Sequence, residues 1–258
     1  MLILLSPAKS LDFDSPSIVK TSSEIQFPNE VNYLADVASQ LSASDLQTLM
    51  KISPSLANLN VERFTNLVDS EAPKLTRQAV FAFDGDVYSG LQARALAKKE
   101  INYLQKNLRI LSGLYGLLRP LDLIQAYRLE MGTALKNVAG NNLYAYWSEK
   151  LTAHLNAEIK TLGAKFLVNL ASEEYAKAIK LKALSVPVIH PIFQDYSSGR
   201  YKVISFFAKK ARGSMVRFCA VNQIKNAAKL KDFAEHGYQF VEEESTALQY
   251  VFRRKEAL

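Results

Sequence analysis

Short apolar runs along this chain alternate with longer stretches in which apolar residues recur every three or four positions. The run Leu2–Leu5 stops at Ser6-Pro7, and this predicts a central strand that is buried on both faces. Residues 108–111 and 166–170 form similar runs and predict two more strands. Two strand pairs are also predicted, a hairpin of 186–193 with 201–207 around Ser197-Ser198-Gly199, and a C-terminal pair at 238–240 and 248–252.

Helices are predicted where the apolar period is 3.6 and where helix start and stop residues flank it. Pro28 precedes a first helix, and Ser42 with Asp45 marks the start of a second. Asn142 caps a long helix that Gly163 closes. Further helices are predicted around Val61, Phe64 and Leu67, after Ser172-Glu173-Glu174, and over the stripe Ala208, Ala211, Met215, Phe218 and Cys219.

These elements predict a mixed α/β or α+β fold. The chain has 258 residues, 48% of them apolar, and no Pro/Gly/Ser linker divides it, so one compact domain over residues 1–258 is expected. The N-terminal apolar stretch is too short for a signal peptide or a membrane span, which predicts a cytoplasmic protein without a membrane partner.

Thiol and imidazole residues are scarce. Cys219 stands alone on a core-facing stripe, where we expect a packing residue with an unreactive thiol. His154, His190 and His236 lie far apart without ligand spacing, so no metal site is predicted. We expect no cofactor, and the segment 109–132 lacks the ending of a phosphate loop.

The net charge of +7 is concentrated in one segment. Residues 196–231 hold nine Lys or Arg and no Asp or Glu, so the rest of the chain is slightly acidic. On a helical wheel Lys210, Ser214 and Arg217 share an edge, with Lys209 and Gly213 beside it. Cations and a hydroxyl on one edge suit a phosphate backbone, although a solvated basic helix explains the charge equally well.

Lys9 follows the first strand, at the position where open α/β sheets bind ligands. It could neutralise a phosphate, act as a nucleophile if desolvated, or form a salt bridge to Asp12. The acids of 83–91 predict a structured turn in which Asp84 or Asp86 caps backbone groups.

Four charged residues lie between apolar neighbours in the segment 109–132. Charges held in such a place must be paired, either in a structural network or in a site, and the network is favoured. The four residues are Arg119, Asp122, Arg128 and Glu130.

Residues 44–67 predict two short amphipathic helices joined over 53–60. A helix-hairpin-helix element binds nucleic-acid backbone through amides at the start of its second helix. The glycines usual in such a hairpin are replaced here by Asn58 and Asn60 around Leu59. Asparagine tolerates the left-handed backbone that the turn needs.

Ordered motifs over nearly the whole chain resemble the YaaA family of bacterial peroxide-stress-resistance proteins. The motifs lie at 5–12, 85–88, 111–116, 118–122, 127–132, 169–172 and 208–213. The resemblance implies a single domain of unusual topology with a positively charged cleft and a helix-hairpin-helix-like element. It also implies binding of double-stranded DNA and limitation of damage and free iron during peroxide stress.

Carried over to this sequence, the resemblance implies two groups of DNA-binding residues. The cleft group is Lys9, Lys209, Lys210, Arg212 and Arg217, and the hairpin group spans 58–63 with Asn58, Asn60 and Arg63. The leading hypothesis is therefore a DNA-binding stress protein that reads backbone shape. The alternative is a lyase or glycosidase acting on DNA or a nucleobase, with Lys9 as nucleophile and Asp122 or Glu130 as acid/base.

Overall fold

The computed structural model describes residues 1–16, 18–71 and 74–255. Its strands confirm the sequence prediction of a mixed α/β domain. In chain order they are β1 (Leu2–Leu5), β2 (Ser10–Leu11), β3 (Arg77–Gln78), β4 (Phe83–Asp84), β5 (Leu108–Ser112), β6 (Gly116–Leu118), β7 (Leu123–Ile124), β8 (Leu167–Leu170), β9 (Val188–Ser197), β10 (Arg200–Lys202), β11 (Gln239–Phe240) and β12 (Gln249–Arg254).

The main sheet of the described chain runs in the order β11, β12, β9, β8, β1, β5, β6, with β10 added beside β9. The strand β1 is parallel to both β5 and β8, and β8 and β12 are parallel to β9. All residues of β1 are fully buried, which confirms the predicted central strand. The carboxyl ends of β1 and β8 therefore meet at one edge of the sheet.

The helices cover the sheet and confirm most predicted starts and stops. They are α1 (Pro28–Ser39), α2 (Ala43–Met50), α3 (Pro54–Val68), α4 (Ala79–Ala82), α5 (Asp86–Leu91), α6 (Lys98–Asn107), α7 (Leu143–Leu162), α8 (Glu173–Ala176) and α9 (Ser205–Val221), with 3₁₀ turns at Ala93–Ala95, Leu181–Ala183, Ala227–Asp232, Glu235–Gly237 and Glu242–Glu244. Ser42 and Asp45 form a reciprocal capping box. Asn142 caps α7, and Gly163 ends it with φ at +60°.

The hairpin around Ser198 and Gly199 is confirmed, since both residues have positive φ as a tight two-residue turn requires. The strand predicted over 201–207 is wrong beyond Lys202, because α9 begins at Ser205. The apolar run of 203–207 is too short to separate strand from helix by itself. The helix prevails because it buries Ala208, Ala211 and Met215 against the core.

Two glycines bring α5 and α9 into close contact. A Cβ on Gly213 would lie 1.7 Å from the Val87 carbonyl oxygen, and one on Gly90 would lie 2.1 Å from the Lys210 carbonyl oxygen. Gly213 was predicted to lie beside the exposed basic edge, but it is buried in this helix contact. Its role is to fix the position of α9 against α5.

Candidate functional site

A cavity of about 590 Å³, here called the cleft, opens at the carboxyl ends of β1 and β8. Open α/β sheets bind ligands at this edge. The start of α5 forms one wall and α9 forms another. The charged and hydroxyl residues of the lining are Ser6, Lys9, Ser10, Asp84, Asp86, Glu130, Ser172, Glu174, Tyr175, Ser205, Lys209 and Arg212.

The floor of the cleft is a hydrogen-bonded contact between the two strand ends. The Ser172 backbone N–H donates to Ser6 Oγ at 2.9 Å, and Ser6 Oγ donates to Ser172 Oγ at 3.3 Å. The Tyr88 hydroxyl donates to the Ser6 carbonyl at 3.1 Å. Burial raises the pKa of Tyr88, so this phenol stays neutral. These bonds hold both strand ends in register beneath the cavity.

Lys9 lies at the cleft and forms an ion pair with Glu130 at 2.8 Å. The salt bridge to Asp12 that the sequence allowed is wrong, because Asp12 pairs with Arg94 at 3.0 Å. The Lys9 side chain is 62% exposed. A nucleophilic lysine requires desolvation, and this position does not provide it.

Arg128 lies beside the ion pair of Lys9 with Glu130, and Arg63 lies near Arg128. Arg128 donates to Glu130 at 3.1 Å, so Glu130 pairs with both Arg128 and Lys9. Burial lowers the pKa of Arg63 on α3, and the nearby charge of Arg128 lowers it further. Lys9 and Arg128 therefore place two positive charges at the carboxylate of Glu130.

The basic residues of α9 divide between two faces of the helix. Lys209 lies 3.6 Å from Asp86 in the cleft, and Arg212 lines the cleft without an ion-pair or hydrogen-bond partner among the described residues. Burial lowers the pKa of the Arg212 guanidinium. Lys210 and Arg217 do not line the cleft, and Arg217 donates to the Gln92 carbonyl at 3.2 Å.

The exposed edge predicted for Lys210, Ser214 and Arg217 is wrong at its centre. Ser214 is 1% exposed and its Oγ lies 2.8 Å from His236 Nε2. The helical wheel drawn from the sequence placed the core-facing stripe correctly. It could not show that the 3₁₀ turn Glu235–Gly237, from a later part of the chain, covers this edge. Lys9, Lys209 and Arg212 meet at the cleft, whereas Lys210 and Arg217 lie elsewhere on the helix.

The four charged residues of 109–132 also separate into two places. Asp122 is fully buried, accepts from Ser23 Oγ at 2.6 Å and pairs with Arg119 at 2.9 Å. This pair is structural, as the network interpretation predicted, and Asp122 does not line the cleft. Asp122 is therefore the wrong acid/base for Lys9, whereas Glu130 is in contact with it.

The two helices predicted within 44–67 are present as α2 and α3, but the hairpin predicted over 53–60 is wrong. Asn58 and Asn60 lie inside α3, and the chain turns between α2 and α3 at 51–53. Ser53 caps α3 and Pro54 is pre-organised for its first turn, so the helix starts before the predicted hairpin. Asn60 is buried and its Nδ2 donates to the Leu56 carbonyl at 2.8 Å. Among the residues that line the described cleft, none belongs to the predicted hairpin group, and Arg63 lies near Arg128, outside that lining.

The structure adds cleft residues that the sequence reasoning missed, above all Ser172, Glu174 and Tyr175. Ser172 and Glu174 follow the strand β8 just as Ser6 follows β1, so the strand-end rule that found Lys9 would also have found them. Glu174 accepts from the Gly132 N–H at 3.0 Å. The sequence predicted that Asp84 or Asp86 caps backbone groups. The structure shows the Asp86 carboxylate in contact with Lys209 instead.

Cys219 is fully buried, and burial raises the pKa of its thiol. This confirms the predicted packing role, because a buried thiol without a cation stays protonated.

Within the described ranges, no cluster of three or more metal-ligating side chains is found. In the same ranges, no helix has the length and apolar character needed to span a membrane.

The cleft is of mixed charge, since Lys9, Lys209 and Arg212 face Asp84, Asp86, Glu130 and Glu174 across it. On the α9 side the lining begins at Val203, directly after β10, and this side of the opening is here called the rim. Arg200 and Lys202 on β10 make no ion pair in the part of the chain that the structure describes. Beside them, Val203 and Phe206 are 52% and 56% exposed.

Comparison with known proteins gives a consistent result over the full length. The family model described as peroxide stress protein YaaA matches residues 1–244. A UPF0246 protein of Psychromonas ingrahamii is 50% identical over 256 residues, covering 99% of this chain and 100% of that protein. UPF0246 proteins of Burkholderia mallei and Burkholderia pseudomallei are each 49% identical over 257 residues, covering 99% of both chains. The chain therefore belongs to the peroxide stress protein YaaA family, a membership that supports a role in peroxide stress.

Proposed function

We propose that this protein binds double-stranded DNA during peroxide stress and contacts the phosphate backbone at the rim of the cleft. The observation that carries the proposal is the segment 196–231, which holds nine cations and no carboxylate. This segment supplies β10 and α9, and so forms one side of the cleft. Phosphate contacts of this kind position a protein on DNA without reading its sequence.

The free cations of this segment support the proposal further. Arg200, Lys202, Lys210 and Arg212 have no acidic partner among the residues described. A cation that is paired with a carboxylate must leave that partner before it can bind a phosphate. The unpaired cations are therefore the ones available to DNA. Val203 and Phe206 offer exposed apolar surface between them, which can pack on deoxyribose rings.

The test is fluorescence anisotropy of labelled duplexes of two unrelated sequences over a salt series. We expect similar affinities for both sequences and a steep loss of affinity with salt. The variant Lys202→Gln should reduce the salt slope by about one. Lys165→Gln is the matched control, because Lys165 is exposed and precedes β8 at the opposite end of the parallel strands. Equal slopes for both variants would reject the rim as the DNA surface.

The contact between Lys9 and Glu130 favours one alternative, a lyase or glycosidase acting on DNA. In that reaction Glu130 would take a proton from the Lys9 ammonium, the free amine would attack the aldehyde carbon of an abasic sugar, and the carbonyl oxygen would leave as water to give an imine. Borohydride reduction of the protein with abasic-site DNA would trap such an adduct. No adduct is expected if Lys9 only neutralises phosphate.

A further inference from the structure

Arg212 lines a second cavity as well as the cleft. This second cavity has a volume of about 710 Å³ and lies where β8 ends beside β9. Its size is that of a site for a small organic ligand. Ile179 and Pro191 are buried in its wall, and Leu181 and Ile192 add further apolar surface.

The second cavity carries unpaired positive charge. Of its lysines, Lys177 pairs with Glu173 at 3.2 Å and Lys180 pairs with Glu149. Lys182 and Arg212 have neither an ion pair nor a hydrogen bond within the ranges that the structure describes. Glu173 is the carboxylate of the lining, and it is already paired. An anion entering this cavity would therefore meet two free cations.

A third donor comes from His190. The Ala171 N–H donates to Asn169 Oδ1 at 3.1 Å, and this fixes the amide with its NH₂ group towards His190. Asn169 Nδ2 then lies 3.4 Å from His190 Nδ1, which must accept, so the ring proton is on Nε2. Burial lowers the pKa of His190, and the imidazole is neutral near pH 7. The histidine is thus a neutral N–H donor in this lining.

We infer that the second cavity binds a phosphate monoester of a small organic molecule. Arg212, Lys182 and His190 Nε2–H are all donors, and a phosphate dianion offers three acceptor oxygens and the charge that two cations neutralise. The apolar wall takes the organic body of the ligand. The site is independent of the proposed DNA contact except through Arg212, which both would use.

Isothermal titration calorimetry on the full chain tests this inference with four probes. These are AMP, ribose 5-phosphate, inorganic phosphate, and adenosine as the uncharged counterpart of AMP. We expect saturable one-to-one binding of the phosphate esters, weaker binding of inorganic phosphate and none of adenosine. Lys182→Gln should weaken the binding of the esters about tenfold, because it removes a charge-assisted contact.

Two control variants locate the site. Lys209→Gln changes the cleft alone and should leave the affinity for the esters unchanged, as should the remote Lys165→Gln. The inference is overturned if no phosphate probe binds, if adenosine binds as well as AMP, or if Lys209→Gln weakens binding and Lys182→Gln does not. Because DNA binding is measured separately, loss of this site would leave the proposed function standing.

Discussion

The cleft and the second cavity share Arg212 but differ in how many of their other lining cations form ion pairs. In the cleft, Lys9 is paired with Glu130 and Lys209 with Asp86. In the second cavity, Lys182 and Arg212 are free within the described chain. Of the lining cations of the described cleft, Arg212 alone is unpaired, whereas an anion that enters the second cavity meets both Arg212 and Lys182 unpaired.

This difference separates two kinds of recognition. Paired charges at a surface contribute little individually, so a polyanion such as DNA would gain its affinity from many rim contacts and from counterion release. A small anion makes few contacts and needs each of them to be strong, which requires unpaired and partly desolvated donors. The four predictions below test this comparison.

The largest effect is expected for Gly213→Ala, which changes the wall that both sites share. A Cβ here would lie 1.7 Å from the Val87 carbonyl oxygen, so α9 must move away from α5. We expect a loss of about 2–3 kcal/mol or more in the free energy of unfolding, and weakened binding at both sites. Urea denaturation measures the stability. Ser205→Ala, at the exposed start of the same helix, is the control and should be nearly neutral.

Arg212→Gln tests the residue that the two regions share. We expect about a tenfold or greater loss of affinity for a phosphate ester in the second cavity, because one of two free cations is removed. The same variant should reduce the salt slope of DNA binding by about one, with a smaller loss of affinity. Fluorescence anisotropy measures the affinity for DNA and calorimetry measures the affinity for the ester, both on one preparation of the variant. A larger loss for DNA than for the ester would reverse the comparison.

The sequence predicted the strand and the lysine at the base of the cleft better than the ion-pair partners around it. The apolar run Leu2–Leu5 identified the central strand, and the strand-end rule placed Lys9 at the cleft because both depend on local pattern. The partners of Lys9 and Asp12 could not be predicted, since each is supplied by a distant segment. The second cavity was missed because Arg212 and His190 are far apart in sequence and neither forms a motif.

The helix-hairpin-helix prediction failed for a local reason. The start signals Ser53 and Pro54 were present in the sequence, but the turn was placed at Asn58 and Asn60 by analogy with hairpin glycines. A capped start before an uninterrupted helical period is the stronger signal, because it satisfies backbone donors that a turn at Asn58 would leave free.

His190 gives the second cavity a titratable imidazole, and none of the residues lining the described cleft is a histidine. The pKa of His190 is lowered by burial, so the ring is neutral near pH 7 and gains a proton only at a pH below the ordinary range of histidine. The imidazolium adds positive charge beside Arg212 and Lys182. The affinity of the wild type for an ester, relative to that of His190→Gln, should therefore rise several-fold on acidification.

The comparison with His190→Gln removes the contribution of the ligand, because the second protonation of the phosphate, near pH 6, affects both proteins alike. The free energy of unfolding should change with pH in the opposite direction to the affinity for the ester. The unfolded chain binds the proton more readily than the folded state, so the free protein should lose stability relative to His190→Gln as the pH falls. An affinity ratio that does not change with pH would place His190 outside the anion site.

The smallest effect is expected for Lys9→Arg, which separates the two hypotheses for the cleft. The Lys9 side chain is mostly exposed and paired with Glu130, and arginine keeps both the charge and the donors. If Lys9 neutralises phosphate, DNA affinity should change less than about twofold, whereas Lys9→Gln should reduce the salt slope by about one. Arginine cannot replace a nucleophilic lysine, because guanidinium does not deprotonate in the accessible pH range. Survival of cells under hydrogen peroxide, measured beside DNA affinity, decides between them. Preserved DNA binding with lost protection would favour chemistry at Lys9 over binding alone.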